Sequence, residues 1–303
     1  MNFPVFFIYL EKGITVQKIK NAIVKKLIDC DASDAELRFL FYIAQYQDNW
    51  GNIIGVHYKT ICDAIDFSSQ TFYNVLSSLQ EKNIICFHKN SEIDYDITIC
   101  NNVFETKQDL KEGYISLRKI VFFHPRFNSL KAKEKLLFIK LFNILQSSGG
   151  SRAIGCKTFY DEYSAMFHVT PKVLRGYLKS IRTLLSAKRH NFKYIFELED
   201  YTTINRKECS DDQKMAINIV KACCRRLKIK NATKDEIEDT SNLLHQYDDI
   251  AASQHKSIIT LLIECIYESI KIINECKDLK DKKDYILHPK IIHRTIKVKL
   301  NRA

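Results

Sequence analysis

Glycine and proline are scarce in this 303-residue chain, at 8 and 4 residues, so a long flexible or proline-rich tract is not expected. No apolar run reaches the roughly 20 residues of a membrane span. The run nearest the start, FPVFFIYL at 3–10, is about half that length. It has no basic leader and is followed by Glu11 and Lys12, which argues against a signal peptide. The expectation is a cytoplasmic, nucleoid- or plasmid-associated protein with no membrane partner.

Sequence motifs for chemistry are also missing. The ten cysteines never form C-x-x-C, and no pair lies near histidines at finger-like spacing. His288 and His293, five residues apart, diverge around a helix. Reduced, buried thiols are expected, and no metal site. The phosphate-cradling G-x-x-x-x-G-K-[ST] and G-x-G-x-x-G loops do not occur, nor does the G-x-S-x-G elbow. A histidine–apolar–histidine pair for a nicking metal is lacking too. Asp94 and Asp96 straddle Tyr95 on one face of a strand and read as solvated carboxylates. Neither enzymatic activity nor a cofactor is expected.

What the chain does have is an ordinary apolar share of 46% and a net charge of +11, distributed unevenly. Residues 129–194 carry 13 basic and 3 acidic side chains, whereas residues 33–104 carry 4 and 9. A concentrated positive field points to a polyanionic partner more strongly than a diffuse one.

Two copies of one element order follow from periodicity and caps. In the first, Ser33 and Asp34 precede a helix at 36–46, DNWGN (48–52) turns, and 53–56 is a strand. A second helix covers 58–65 with Ile61 and Ile65 inward. Ser69 caps a third, with Phe72, Leu76 and Leu79 on its buried face. Strands at 84–87 and 95–99 flank a tip at 88–92. In the second copy a helix at 129–145 begins at Ser129, SSGG (147–150) is a loop, and 153–156 is a strand. A helix covers 157–167. Thr170 and Pro171 then cap and start a third helix with Leu174, Leu178 and Ile181 inward. A strand pair lies within 185–199, around a basic tip at 187–193. IIG at 53–55 matches AIG at 153–155, and each glycine is followed twelve residues later by Phe67 or Phe167. Helix, strand, two helices and a hairpin is the winged-helix order.

In such a unit the third helix enters the major groove. Its outward positions in the second copy are Lys172, Arg175, Tyr177, Lys179 and Arg182, with Gly176 permitting close approach and Thr170 at the cap. Arginine matches guanine through two bonds and lysine neutralises phosphate. Lys188, Arg189, His190 and Lys193 at the tip would reach an adjacent groove or the backbone. The first copy presents neutral Gln70, Thr71, Tyr73, Asn74 and Ser77 beside Ser69. Only Lys59, Lys82 and Lys89 are suited to phosphate. It reads as a protein-contact or dimerisation unit with secondary DNA contact open.

Residues 201–303 read as a helical bundle, with segments at 211–229, 233–247 and 257–276, caps at Ser210 and Thr233, and a charged linker at 277–284. A last basic helix starts at Pro289 and carries Lys290, Arg294, Lys297, Lys299 and Arg302, as a phosphate-binding or solvated tail. The domains expected are a strand/helix arm at 1–32, winged helices at 33–112 and 113–200, and a helical domain at 201–303. The class is mainly α with small β-hairpins (α+β).

ELRFLFYIAQYQD (36–48), DFSSQTFYNVLSSLQEKNII (66–85) and GYISLRKIVFFHPRFNSLKAKEKLLFIKLFNIL (113–145) resemble the tandem winged-helix replication initiators of bacterial plasmids. The likeness spans about 33–200 and rests mainly on apolar patterning. It implies that the second unit reads repeated origin sites on double-stranded DNA, through Lys172, Arg175, Lys179 and Arg182, while the first serves dimerisation and further contact. The C-terminal hundred residues depart from that pattern. They are similar instead to the tail of DnaD-type primosome proteins, although IIHRTIKVKL has no tryptophan. Three roles stay open: replication initiator, winged-helix transcription regulator, and primosome scaffold contacting replication or transcription proteins.

Overall fold

The computed structural model describes residues 18–104, 106–116, 122, 124–198, 211–229, 231–254, 256–276 and 286–301. The apolar run at 3–10, the Ser210 cap, the linker at 277–284 and Arg302 lie outside the described residues. The N-terminal segment contributes a strand and a helix: β1 (Lys18–Lys20) pairs antiparallel with β5 (Tyr114–Ser116), and α1 (Asn21–Asp29) buries Ile23, Val24, Leu27 and Ile28. Both belong to the main apolar core.

The first unit begins with α2 (Asp34–Ile43). Ser33 and Glu36 form a reciprocal capping box that satisfies two otherwise orphaned amides. β2 (Asn52–His57) leads into α3 (Tyr58–Ile65), which buries Ile61 and Ile65 as expected. Asp66, at φ +54, ends α3 in a left-handed turn. α4 (Ser69–Glu81) follows, burying Phe72, Val75, Leu76 and Leu79. Its cap is Ser68, not Ser69: Ser68 is extended, and its hydroxyl accepts from Thr71 N at 3.0 Å. Ser69 already has its place inside the helix, a choice between adjacent serines that periodicity does not make. β3 (Ile85–Ser91) and β4 (Asp94–Ile99) complete a sheet of order β2-β4-β3. The expected tip at 88–92 is mostly strand, because backbone pairing continues under exposed polar side chains until Ser91 faces Asp94.

After α5 (Lys107–Lys111), the second unit opens with a difference. Pro125 starts a short helix, α6 (Pro125–Asn128), and Ser129 closes it instead of opening a long one. α7 (Ala132–Ser147) begins three residues later, where Lys131 N donates to Glu134 Oε2 at 2.9 Å. β6 (Ser151–Gly155), α8 (Cys156–Phe167), α9 (Pro171–Ile181), β7 (Leu185–His190) and β8 (Lys193–Leu198) follow, in a sheet of order β6-β8-β7. Thr170 caps α9, Pro171 is its first residue, and Leu174, Leu178 and Ile181 are buried, all as expected.

The copies share details of local chemistry. Left-handed His168 (φ +50) ends α8 as Asp66 ends α3, in each case two residues before the next cap. The last carbonyl of each of these helices accepts from a cation on the unit's opening helix: Ile65 O from Arg38, and Phe167 O from Lys133 at 3.3 Å. Ser78 donates to Glu36 at 2.7 Å, as Ser180 does to Glu134 at 2.8 Å. Repetition of a buried acid and its serine is hard to obtain from two unrelated folds. The units share one continuous core, and fully buried Lys135 of α7 pairs with Asp34 of α2 across their junction.

Burial alone would push the Glu36 carboxyl up, but bonds from Lys82, Ser33 and Ser78 outweigh it and hold it below the ordinary value. A depressed folded pKa supplies stability above the unfolded value, near 4.3. That stability is lost as pH falls through the folded pKa. Denaturant midpoints are therefore expected to fall with acidification below about pH 4.3, more gently in Glu36→Gln. Parallel profiles for the two proteins would contradict this.

The C-terminal segment forms α10 (Asp211–Arg226), α11 (Lys234–Ser253), α12 (Ile258–Cys276) and α13 (Pro289–Asn301). Thr233 caps α11 through a capping box. The bundle has its own core, including Cys223, Leu244, Leu262, Ile266, Ile292 and Ile296. Its last helix is therefore not a free tail: Ile292, Ile296 and Leu300 are buried, and Lys299 pairs with Glu264 at 3.0 Å and Glu268 at 2.8 Å. Lys290, Arg294 and Lys297 remain exposed.

The bundle docks on the first unit. Asn218 donates to Ile54 O at 2.6 Å, and Arg225 to Gly55 O. Arg226 Nε lies 2.7 Å from Asp94 Oδ2, its other nitrogen binds Asp96, and Arg225 adds a 3.4 Å contact to Asp94. Asp94 is thus not solvated, while Asp96, paired with Arg226, keeps about a third of its side chain exposed. Asp94 is only 2% exposed, its charge balanced by residues 131 and 132 positions away, which no local pattern announces. Gly55 is required here. It adopts φ +72, and a Cβ on it would lie 2.0 Å from Ala222 Cβ.

Candidate nucleic-acid interface

α9 has one wet face. Lys172, Val173, Arg175, Gly176, Lys179 and Arg182 are exposed, opposite the buried Leu174, Leu178 and Ile181. A Cβ on Gly176 would meet no atom within 4 Å, so nothing in the protein crowds that point of approach. Tyr177 departs from the expectation: it is half-buried against the core rather than outward. Thr170 is exposed, and its hydroxyl accepts from Val173 N at 3.4 Å, which orients the first turn.

The β7–β8 hairpin supplies a second cationic group. Lys188, Arg189 and His190 end one strand and Lys193 begins the other, all exposed. The tip is shorter than 187–193, being only the Asn191–Phe192 reversal between paired His190 and Lys193. Lys188 approaches Glu197 at 3.5 Å, an exposed pair of little strength. Lys172, Arg175, Lys179, Arg182, Arg189, His190 and Lys193 pair with no described carboxylate.

Two tyrosines tie the helix to the hairpin. The Arg175 guanidinium lies over the Tyr160 ring, 5.9 Å from its centroid, and the nearby Tyr160 side chain raises its pKa. Tyr160 and Tyr194 share a hydroxyl–hydroxyl bond of 2.8 Å. Burial, then that bond, pushes Tyr194 up to about 12, so it stays a neutral phenol at ordinary pH. Across β7–β8, Tyr194 is the register partner of Arg189. Arg175 on the helix is thus linked through Tyr160 and Tyr194 to the hairpin strand that faces Arg189.

The first unit holds the same framework with different chemistry. Tyr58 and Tyr73 stack at 6.0 Å, each 102 residues before Tyr160 and Arg175, and Tyr95, the counterpart of Tyr194, donates its hydroxyl to Glu92 O at 3.5 Å. Tyrosine thus stands where the second unit has arginine. Asp94, first in its strand, stands where the second unit has Lys193. Gln70 donates to Asn74 at 2.8 Å, Tyr73 donates to Glu92 O at 3.3 Å, Thr71 is half-buried, and Ser69 is exposed. Lys82 is bound to Glu36 at 2.6 Å and Lys89 to Glu92 at 2.9 Å, which leaves Lys59 alone of the three lysines suited to phosphate.

Reasoning from the sequence picked out the cations but missed Tyr160, Tyr194, Arg225 and Arg226. Only the repeat itself, with Tyr58 preceding Tyr160, carried a signal for the tyrosines. Among the described residues no group of histidine, cysteine and carboxylate side chains could hold a metal, and no helix is long and apolar enough to cross a membrane. No family model, no curated protein and no solved structure matches the chain.

Proposed function

We propose that the chain is a double-stranded DNA-binding protein of the replication-initiator kind, in which both units are winged helices and the second is the main reader. The observation that carries this reading is the exposed set Lys172, Arg175, Lys179, Arg182, Arg189, His190 and Lys193, free of described carboxylates and spread over one helix and one hairpin. A helix of this width fits a major groove, and a hairpin beside it reaches the next stretch of backbone. The bundle engages the first unit through Asp94 and Asp96, which supports a protein-contact role for that unit, here within its own chain.

Selection of bound duplexes from a random pool tests the reading. Enrichment of a defined site is expected, with Arg175→Ala losing preference at one or two base pairs. An unenriched pool would contradict sequence-specific recognition. Selected sites falling in arrays of direct repeats favour an initiator, and single promoter sites a regulator. Tyr160→Phe keeps the ring but breaks the link between Arg175 and Tyr194. It is expected to weaken duplex binding by roughly threefold to tenfold, with a stability loss near 1 kcal/mol, the usual worth of one such hydrogen bond. Titration of labelled duplex alongside thermal unfolding checks both. Unchanged affinity would deny Tyr160 a positioning role.

A further inference from the structure

Phe192 is 84% exposed, well beyond every other large apolar side chain among the described residues. Its backbone is not loose. It occupies the second position of a two-residue reversal between paired His190 and Lys193. The first position, Asn191, takes φ +53, a conformation asparagine tolerates better than most residues. Phe192 O accepts from Cys156 N at 2.7 Å, which ties the turn to the start of α8. The ring is therefore held at the point of a rigid hairpin, with Arg189, His190 and Lys193 around it. Water-facing phenylalanine among cations has no partner within the described fold.

We infer that Phe192 is an apolar wedge that enters a base step of duplex DNA, its ring stacking on a base as the flanking cations neutralise the adjoining phosphates. This rests on the DNA-binding reading above and adds to it a mode of contact, distortion of the duplex. Apolar side chains set among cations partially unstack base steps in this manner and kink the helix axis. The first unit supplies a comparison. Its reversal is anchored in the same way, Tyr58 N donating to Ile93 O at 3.1 Å, but Ile93 is only 40% exposed and Glu92 pairs with the nearby Lys89. The wedge position carries an aromatic ring only where the surrounding charge is positive.

The test uses full-length Phe192→Trp against the parent chain, whose single tryptophan is common to both. The probes are a fluorescein-labelled mixed-sequence 30-base-pair duplex and its single strand. Anisotropy reports binding, while tryptophan emission and acrylamide accessibility report stacking. On the bound duplex, the emission contributed by the new tryptophan is expected to fall roughly twofold or more through base stacking and to become shielded. Phe192→Ala is expected to bind duplex about fivefold to a hundredfold more weakly, the loss of one stacked ring, and to lose DNA bending in circular-permutation assays. A bound duplex with the tryptophan still solvent-accessible would overturn the wedge and leave the DNA-binding reading standing. Stacking on the single strand alone would overturn insertion into a duplex. No duplex binding at low salt would overturn both readings.

Discussion

Changing Lys172, Arg175, Lys179 and Arg182 together to alanine is expected to lower duplex affinity by about a thousandfold, taking each phosphate or base contact at roughly 1 kcal/mol. The same variant should show a shallower salt dependence. Four fewer phosphate contacts reduce the slope of log K against log salt by up to about 3.6. Folding should be little affected, because these side chains point away from Leu174, Leu178 and Ile181, which hold α9 in place. The control is Gln70→Ala with Asn74→Ala on the equivalent face of the first unit. Those two amides bond each other, and no excess of positive charge surrounds them. Parent-like binding by the fourfold variant, measured across several salt concentrations, would remove the second unit as the reader.

Arg226→Ala is expected to destabilise the chain by about 3–5 kcal/mol, the range seen when one partner of a buried ion pair is removed. The loss falls on Asp94, which is 2% exposed and would keep only the 3.4 Å contact from Arg225. Adding Asp94→Asn should recover a good part of it, since a buried amide costs less to leave underbonded than a carboxylate does. Denaturant unfolding of the single and double variants measures both effects. A change below about 0.5 kcal/mol for Arg226→Ala, typical of a surface substitution, would mean that the bundle does not depend on this contact. Gly55 belongs to the same junction, where the near approach of Ala222 leaves no room for a side chain.

How far the sequence announces this structure depends on the range of the interaction. α3 and the start of α9 lie where periodicity and caps put them, because Ile61, Ile65, Leu174 and Thr170 act within one or two helical turns. Element ends were harder. Ser68 and Ser69 are equivalent as local signals, and Ser129 closes one helix where it was expected to open another. Both hairpins run closer to their tips than polar composition suggests, since strand pairing needs only the backbone. Asp94 and Asp96 were misread for a different reason. Their alternation is local, but the arginines that pair with both and cover Asp94 arrive from a helix more than 100 residues on. For the candidate interface, charge density located α9 and its hairpin, while the Tyr160–Tyr194 bond that joins them depends on tertiary approach.

Lysine reactivity, measured residue by residue by mass spectrometry with and without excess duplex, tests the central claim most directly. Lys172, Lys179, Lys188 and Lys193 are expected to become protected, while exposed Lys59, Lys290 and Lys297 stay reactive. Protection confined to Lys290 and Lys297, or no protection on α9 and its hairpin under conditions where duplex is bound, would contradict the account.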